Sequence, residues 1–154
     1  MALLLAVSRV SAVAGLLCIL GGCDTLFGAA DTMASAAPAQ LSPAAATAIA
    51  TDMVSSLTAQ LGPGANTIVL KEDGSSFGPA LEQALKTSGY AVVTDQSFNT
   101  KAGVVLSYVV DDFDGGVLAR LSTPAVDLGR AYQVTASAAR PSSPLSVMAH
   151  GAPA

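Results

Sequence analysis

The chain has 154 residues, 51% hydrophobic and 5% aromatic, with seven Lys/Arg against eleven Asp/Glu and a formal net charge of −4. That length supports one domain around one core, and an acidic balance without a basic cluster argues against nucleic-acid binding, which needs phosphate neutralisation. The hydrophobic fraction comes partly from an apolar N-terminus and partly from alanine, and no later run reaches the about 20 residues of a membrane-spanning helix.

The chain starts with an apolar run, Val10 to Leu20, behind Arg9. A run of about 7–15 apolar residues after a positive charge reads as a secretory signal. Gly21 and Gly22 then leave room for a peptidase, so residues 1–22 are expected to be a signal peptide. "LGGC" looks like a bacterial lipobox, which makes Cys23 the lipidation site: its thiolate alone can carry the thioether lipid, and palmitate is the expected label. More than one acyl chain is needed, because a single chain holds a protein only marginally in a bilayer. An uncleaved anchor from Ala2 to Gly22, with Arg9 snorkelling, and an ordinary signal with a chance cysteine stay open at this point. With Cys18 in the removed segment and Cys23 acylated, no thiol is left for a disulfide, a nucleophile or a metal. Residues 23–40 are read as the lipidated cysteine and a flexible tether of small and polar residues.

A domain over residues 41–139 follows. Ser42 is a good N-cap and Pro43 suits the first helical position. Leu41, Ala45, Ile49, Met53, Leu57 and Leu61, with Val54 beside them, form the apolar stripe of a first helix, opposite Thr51, Asp52, Ser55 and Gln60. Gly62-Pro63-Gly64 ends it. "NTIVLKED" is a strand with Ile68 and Leu70 on one face. Ser75 or Ser76 is expected to cap a second helix that buries Phe77, Leu81, Ala84 and Leu85, and Gly89 stops it. "YAVVTD" completes a strand–helix–strand crossover, right-handed if both strands share a sheet. From Gly103 the period becomes two: Val104, Leu106, Tyr108 and Val110 share a face, "DGG" at 114–116 signals a hairpin turn, and "VLARLST" returns. "GRAYQVTASA" is a further strand with Tyr132, Val134 and Ala136 together. One sheet face is thus apolar and the other largely polar. The expected fold is α+β, a two-layer sandwich with two amphipathic helices on one face of a mixed, mostly antiparallel sheet of about five strands. Residues 140–154 read as an extended tail that can add an edge strand near Leu145 to Met148.

Few residues offer chemistry. Asp111, Asp112 and Asp114 in "DDFDGG" could give oxygen ligands to a hard cation such as calcium. Val110 and Leu121, however, stand where an EF-hand needs its first ligand and its glutamate, so a solvated hairpin tip is the better reading. His150 stands alone near the C-terminus, with no base, carboxylate orienter or metal co-ligand evident in the sequence, which leaves Ser75, Ser76 and the other serines without an activating partner. "GPGANT" has no Walker lysine and follows a helix, so it is no phosphate loop. Glu82 and Lys86 make a surface i,i+4 pair. No catalytic set, cofactor or metal site is expected, and the chain reads as a structural or interaction protein.

The "AATAIATDMVSSLTAQLGPGANTIVLKEDGSSFGPALEQALKTSGYAVV" stretch, the "LSYVVDDFDGGVLARL" hairpin, the "GRAYQV" strand and the lipobox together resemble the TrbH family of conjugal transfer proteins. The resemblance implies a non-enzymatic lipoprotein of the mating-pair-formation apparatus, a type IV secretion system, with other channel proteins as partners and the membrane reached through lipid on Cys23. It implies the periplasmic side of the envelope, at the outer membrane. Asp24, directly after Cys23, resembles instead the enteric signal that retains lipoproteins in the inner membrane. The alternative function is an envelope-assembly or ligand-binding lipoprotein of the periplasm, unrelated to conjugation, which the generic strand–helix–strand unit would equally serve.

Overall fold

The structure is a computed structural model and describes residues 33–64, 66–95 and 103–151. The signal segment 1–22, Arg9, Cys18, the lipidation candidate Cys23 and Asp24 lie outside the described residues.

Helix α1 runs Pro43–Leu61. Ser42 caps it as expected: its backbone is extended and its hydroxyl accepts from the Ala45 N–H at 3.2 Å. The stripe is broader than a strict four-residue spacing, because Ala46, Ala50 and Val54 are buried alongside Ala45, Ile49, Met53 and Leu57. Strand β1, Thr67–Leu70, leads into α2, Phe77–Thr87, and then β2, Ala91–Val93. The start of α2 differs from expectation. Ser76 has helical backbone angles and makes no side-chain cap bond, since a capping hydroxyl needs an extended residue to reach the free N–H groups. Asp73 organises the turn instead, accepting from the Ser75 N–H at 3.0 Å. Gly89, at φ 87°, ends α2 as read from the sequence.

Strands β3 (Val104–Phe113), β4 (Gly116–Ser122) and β5 (Val126–Val134) form an antiparallel meander. The "DGG" turn joins the first two: Asp114 and Gly115 both have positive φ, 47° and 73°, the pair of conformations that matches strand twist in a two-residue hairpin. Gly116 serves another need, since a methyl group there would collide with the Tyr132 backbone carbonyl.

The last long strand starts and ends earlier than its sequence pattern. A turn held by the Thr123 hydroxyl, which accepts from the Val126 N–H at 2.9 Å, launches β5 at Val126. A second turn, closed by the Thr135 N–H on the Ala138 carbonyl at 2.8 Å, stops it at Val134, and Ala136 is exposed rather than inward. Two short strands follow, β6 (Ala139–Pro141) and β7 (Ser146–Ala149), both pairing with β5. The sheet order is β2-β1-β3-β4-β5-β6, with β7 beside β6 along the same edge of β5. Seven strands rather than about five therefore make the sheet, parallel at β2-β1-β3 and antiparallel beyond.

The two-layer α+β sandwich is as expected. Ile49, Met53 and Leu57 of α1 and Phe77, Leu81 and Leu85 of α2 meet Ile68, Leu70, Leu106, Tyr108, Val110, Ala119, Leu121, Leu128 and Tyr132 in one core. Burying side chains of this size is worth about 1.5–3 kcal/mol each before entropy is counted. The opposite sheet face is less polar than its pattern indicates, because Val69 and Ser107 are buried there at 1% and 4% exposure. Among the described residues no helix is long and apolar enough to cross a membrane.

Candidate functional site

Two polar clusters lie where helices and loops meet the sheet. In the first, Asp52 of α1 accepts from the Arg130 guanidinium at 2.8 Å and from the Tyr132 hydroxyl at 2.6 Å, both through one carboxylate oxygen. Arg130 and Tyr132 alternate along β5 and so share the face that α1 covers. Burial, then the hydrogen bond to Asp52, pushes the Tyr132 phenol well above its ordinary range, and the hydrogen bond to Asp52 raises the Arg130 guanidinium. The Arg130 Nε is buried without a partner. Asp52 is thus not simply a member of the solvated face of α1. The signal was present in β5, where Arg130 falls in phase with Leu128 and Tyr132 at an inward position.

The second cluster centres on Asp73, between β1 and α2. It accepts from the Tyr108 hydroxyl at 2.5 Å, the Ser75 N–H at 3.0 Å and the Ala37 N–H at 2.6 Å. Burial works against its charge, but the hydrogen bonds from Ser75, Tyr108 and the backbone outweigh it and hold the carboxyl at about 2. Burial and the bond to Asp73 push the Tyr108 phenol up to about 12. The Phe77 ring meets Tyr108 edge-on at 5.2 Å. "DGS" at 73–75 was a legible Asx-turn signal, whereas the partners Tyr108 and Ala37 were not legible locally.

The hairpin tip carries the third candidate. Gln40, Asp112, Phe113, Asp114, Val117 and Val134 line an open depression of about 430 Å³, and Phe113 is 52% exposed. Strand alternation points Asp111 and Asp112 to opposite faces. No group of three or more His, Cys, Asp and Glu side chains among the described residues is placed to hold a metal ion. His150 does have a carboxylate beside it, contrary to the sequence reading: its Nε2 lies 3.1 Å from Asp127 of β5, because β7 brings the tail back along the sheet edge. Both side chains are 39% exposed. The buried Ser75 hydroxyl lies beside the Asp73 carboxylate, and Glu82 and Lys86 pair on the surface of α2 at 2.6 Å.

These features define a small α+β domain whose best-formed polar clusters fasten helix, loop and sheet together. A family model described as conjugal transfer protein TrbH matches residues 28–151. A protein of Sinorhizobium fredii named "Probable conjugal transfer protein TrbH" is 48% identical over 135 residues, covering 84% of this chain and 90% of that protein. No solved structure matches. The chain belongs to the TrbH family, and the resemblance read from its helices and hairpin holds.

Proposed function

We propose that this chain is a lipid-anchored structural component of a conjugative type IV secretion apparatus, needed for plasmid transfer. The family match across residues 28–151 carries the reading. Two features support it. Asp52 ties α1 to β5 through the Arg130 and Tyr132 side chains, and Asp73 ties the turn before α2 to Tyr108 of β3 and to the Ala37 backbone, which is structural work. The acidic charge suits protein partners in the channel rather than nucleic acid. The anchor is lipid on Cys23, with the domain facing the periplasm at the outer membrane. Retention at the inner membrane through Asp24 is the outcome that a density-gradient separation of the two membranes would distinguish.

A clean deletion of the gene abolishes plasmid transfer while nicking and processing of the DNA continue. Normal transfer from the deletion strain defeats the proposal. Cys23→Ser blocks thioether formation, so the variant runs as an unprocessed precursor and takes up no labelled palmitate. Its folded domain survives, since the lipid site lies before the folded residues, yet transfer falls. Palmitate-free wild-type protein, with a normally maturing Cys23→Ser, would reduce the opening segment to a plain signal or anchor.

A further inference from the structure

Residues 33–40 are not simply a spacer between Cys23 and α1. They lie along the edge of β3 just beyond β1: β1 pairs with Val104 to Leu106, and Ala36 then bridges Val109 in parallel. The Ala36 N–H donates to the Tyr108 carbonyl at 2.9 Å, the Val110 N–H to the Ala36 carbonyl at 2.9 Å, and the Ala39 N–H to the Val110 carbonyl at 3.3 Å. The Tyr108 N–H donates to the Ser35 hydroxyl at 3.1 Å. Asp73 closes the arrangement from the other side by accepting from the Ala37 N–H at 2.6 Å.

We propose that residues 33–40 form a detachable strap and that Asp73 is its latch, giving the domain a short, docked reach and a long, released one. Three observations carry this. The strap buries little apolar surface: only Ala39 is fully covered, Met33, Ser35 and Ala37 are half-buried, and Ala34, Ala36, Pro38 and Gln40 are exposed. It joins the sheet through one isolated bridge, whereas β4 pairs with β5 over a continuous ladder from Val117 to Ser122. Its latch is exposed, so water competes for the same carboxylate. Segments with few buried apolar contacts and solvent-accessible hydrogen bonds open locally without global unfolding. Release takes only Ala39 and the neighbouring Ala37 from the core, while Tyr108 keeps its contact with Phe77 and its own hydroxyl bond to Asp73.

The consequence for reach rests on the anchor reading above. Release of residues 33–40 frees up to about 25 Å of chain between the membrane side and α1, at most about 3.3 Å per extended residue. A lipid-held domain could then meet channel partners at two heights above the membrane.

Amide hydrogen exchange on the full chain in micelles tests the strap. The Ala36, Ala37 and Ala39 amides of the wild type should exchange at least about a hundredfold faster than those at the centre of the β4–β5 ladder. Asp73→Asn should speed them about tenfold more, and by more than it speeds the ladder, whose exchange rises only with the small loss of global stability. Ser35→Ala, which removes a strap contact without touching the Asp73 turn, should move them in the same direction. Wild-type strap amides as slow as the ladder would overturn the strap, and unchanged rates in both variants would overturn the latch. Energy transfer from a membrane dye to a label at Arg140→Cys reads the reach. A longer distance in Asp73→Asn supports two heights, and an unchanged distance with accelerated exchange overturns them. Palmitate labelling of the same sample shows whether a failed distance change comes from the strap or from a missing anchor.

Discussion

Asp73 shows what one carboxylate does when several donors converge on it. Its pKa falls from the ordinary 3.8 to about 2, so the charged form is favoured in the folded chain. The stability it contributes is present above about pH 4 and is lost as pH falls towards 2. Because the side chain is exposed, solvent screening limits this to about 1 kcal/mol. Tyr108 acts at the other end of the scale: raised from 10.0 to about 12, it favours folding below about pH 10 and loses that contribution as pH rises through 12. Asp73→Asn should flatten the acid limb of a denaturation-versus-pH profile, and Tyr108→Phe the alkaline limb. An acid limb in Asp73→Asn identical to the wild type would show that other carboxylates carry it.

At the scale of elements, α1 is held to β5 by apolar packing and by one polar clamp. Asp52→Ala strips the Arg130 guanidinium and the Tyr132 hydroxyl of their shared acceptor. Hydrogen bonds to charged groups are worth about 1.5–3 kcal/mol, and Arg130 is mostly covered, with 20% of its side chain exposed. We expect a loss of about 2 kcal/mol in urea unfolding. Tyr132→Phe removes only one bond and should cost about 1 kcal/mol. A double variant, Asp52→Ala with Arg130→Met, should recover part of the loss, because it removes the unpaired charge along with the pair. Equal losses in the single and double variants would assign the effect to helix packing rather than to the clamp.

For the whole molecule, the sheet's outer edge is the place where chain length matters. Strand β7 covers the Val126–Gly129 stretch of β5 and adds the His150–Asp127 contact. Its own Val147 and Met148 are exposed at 44% and 62%. Ending the chain after Pro141 would uncover the β5 edge next to the core residues Val126 and Leu128. Unpaired edges beside apolar residues promote strand addition between molecules. The truncated protein should melt several degrees lower and self-associate in sedimentation. An unchanged melting temperature would make β7 dispensable to the fold.

Residues whose environment is set by neighbours in the chain were legible in the sequence alone. Period and punctuation gave both helices, the Ser42 cap, the "DGG" hairpin and the two-layer class, because a 3.6 or 2.0 repeat and a glycine's φ preference act within a few residues. The family could be read as well, through the resemblance of particular stretches of sequence, and the match over residues 28–151 bears it out. Tertiary structure alone decided which polar groups would meet. Asp52 and Tyr132 are 80 residues apart, and Asp73 and Tyr108 are 35 apart. The edge strand expected near Leu145 to Met148 is β7, but its partner, like β6 and the strap, depends on edges of β5 and β3 that exist only once the sheet is built. Short segments such as these carry too little periodicity to declare where they pair. Their partners are backbone N–H and C=O groups, which every residue except proline offers in full, so nothing in the side-chain pattern marks where they will bind.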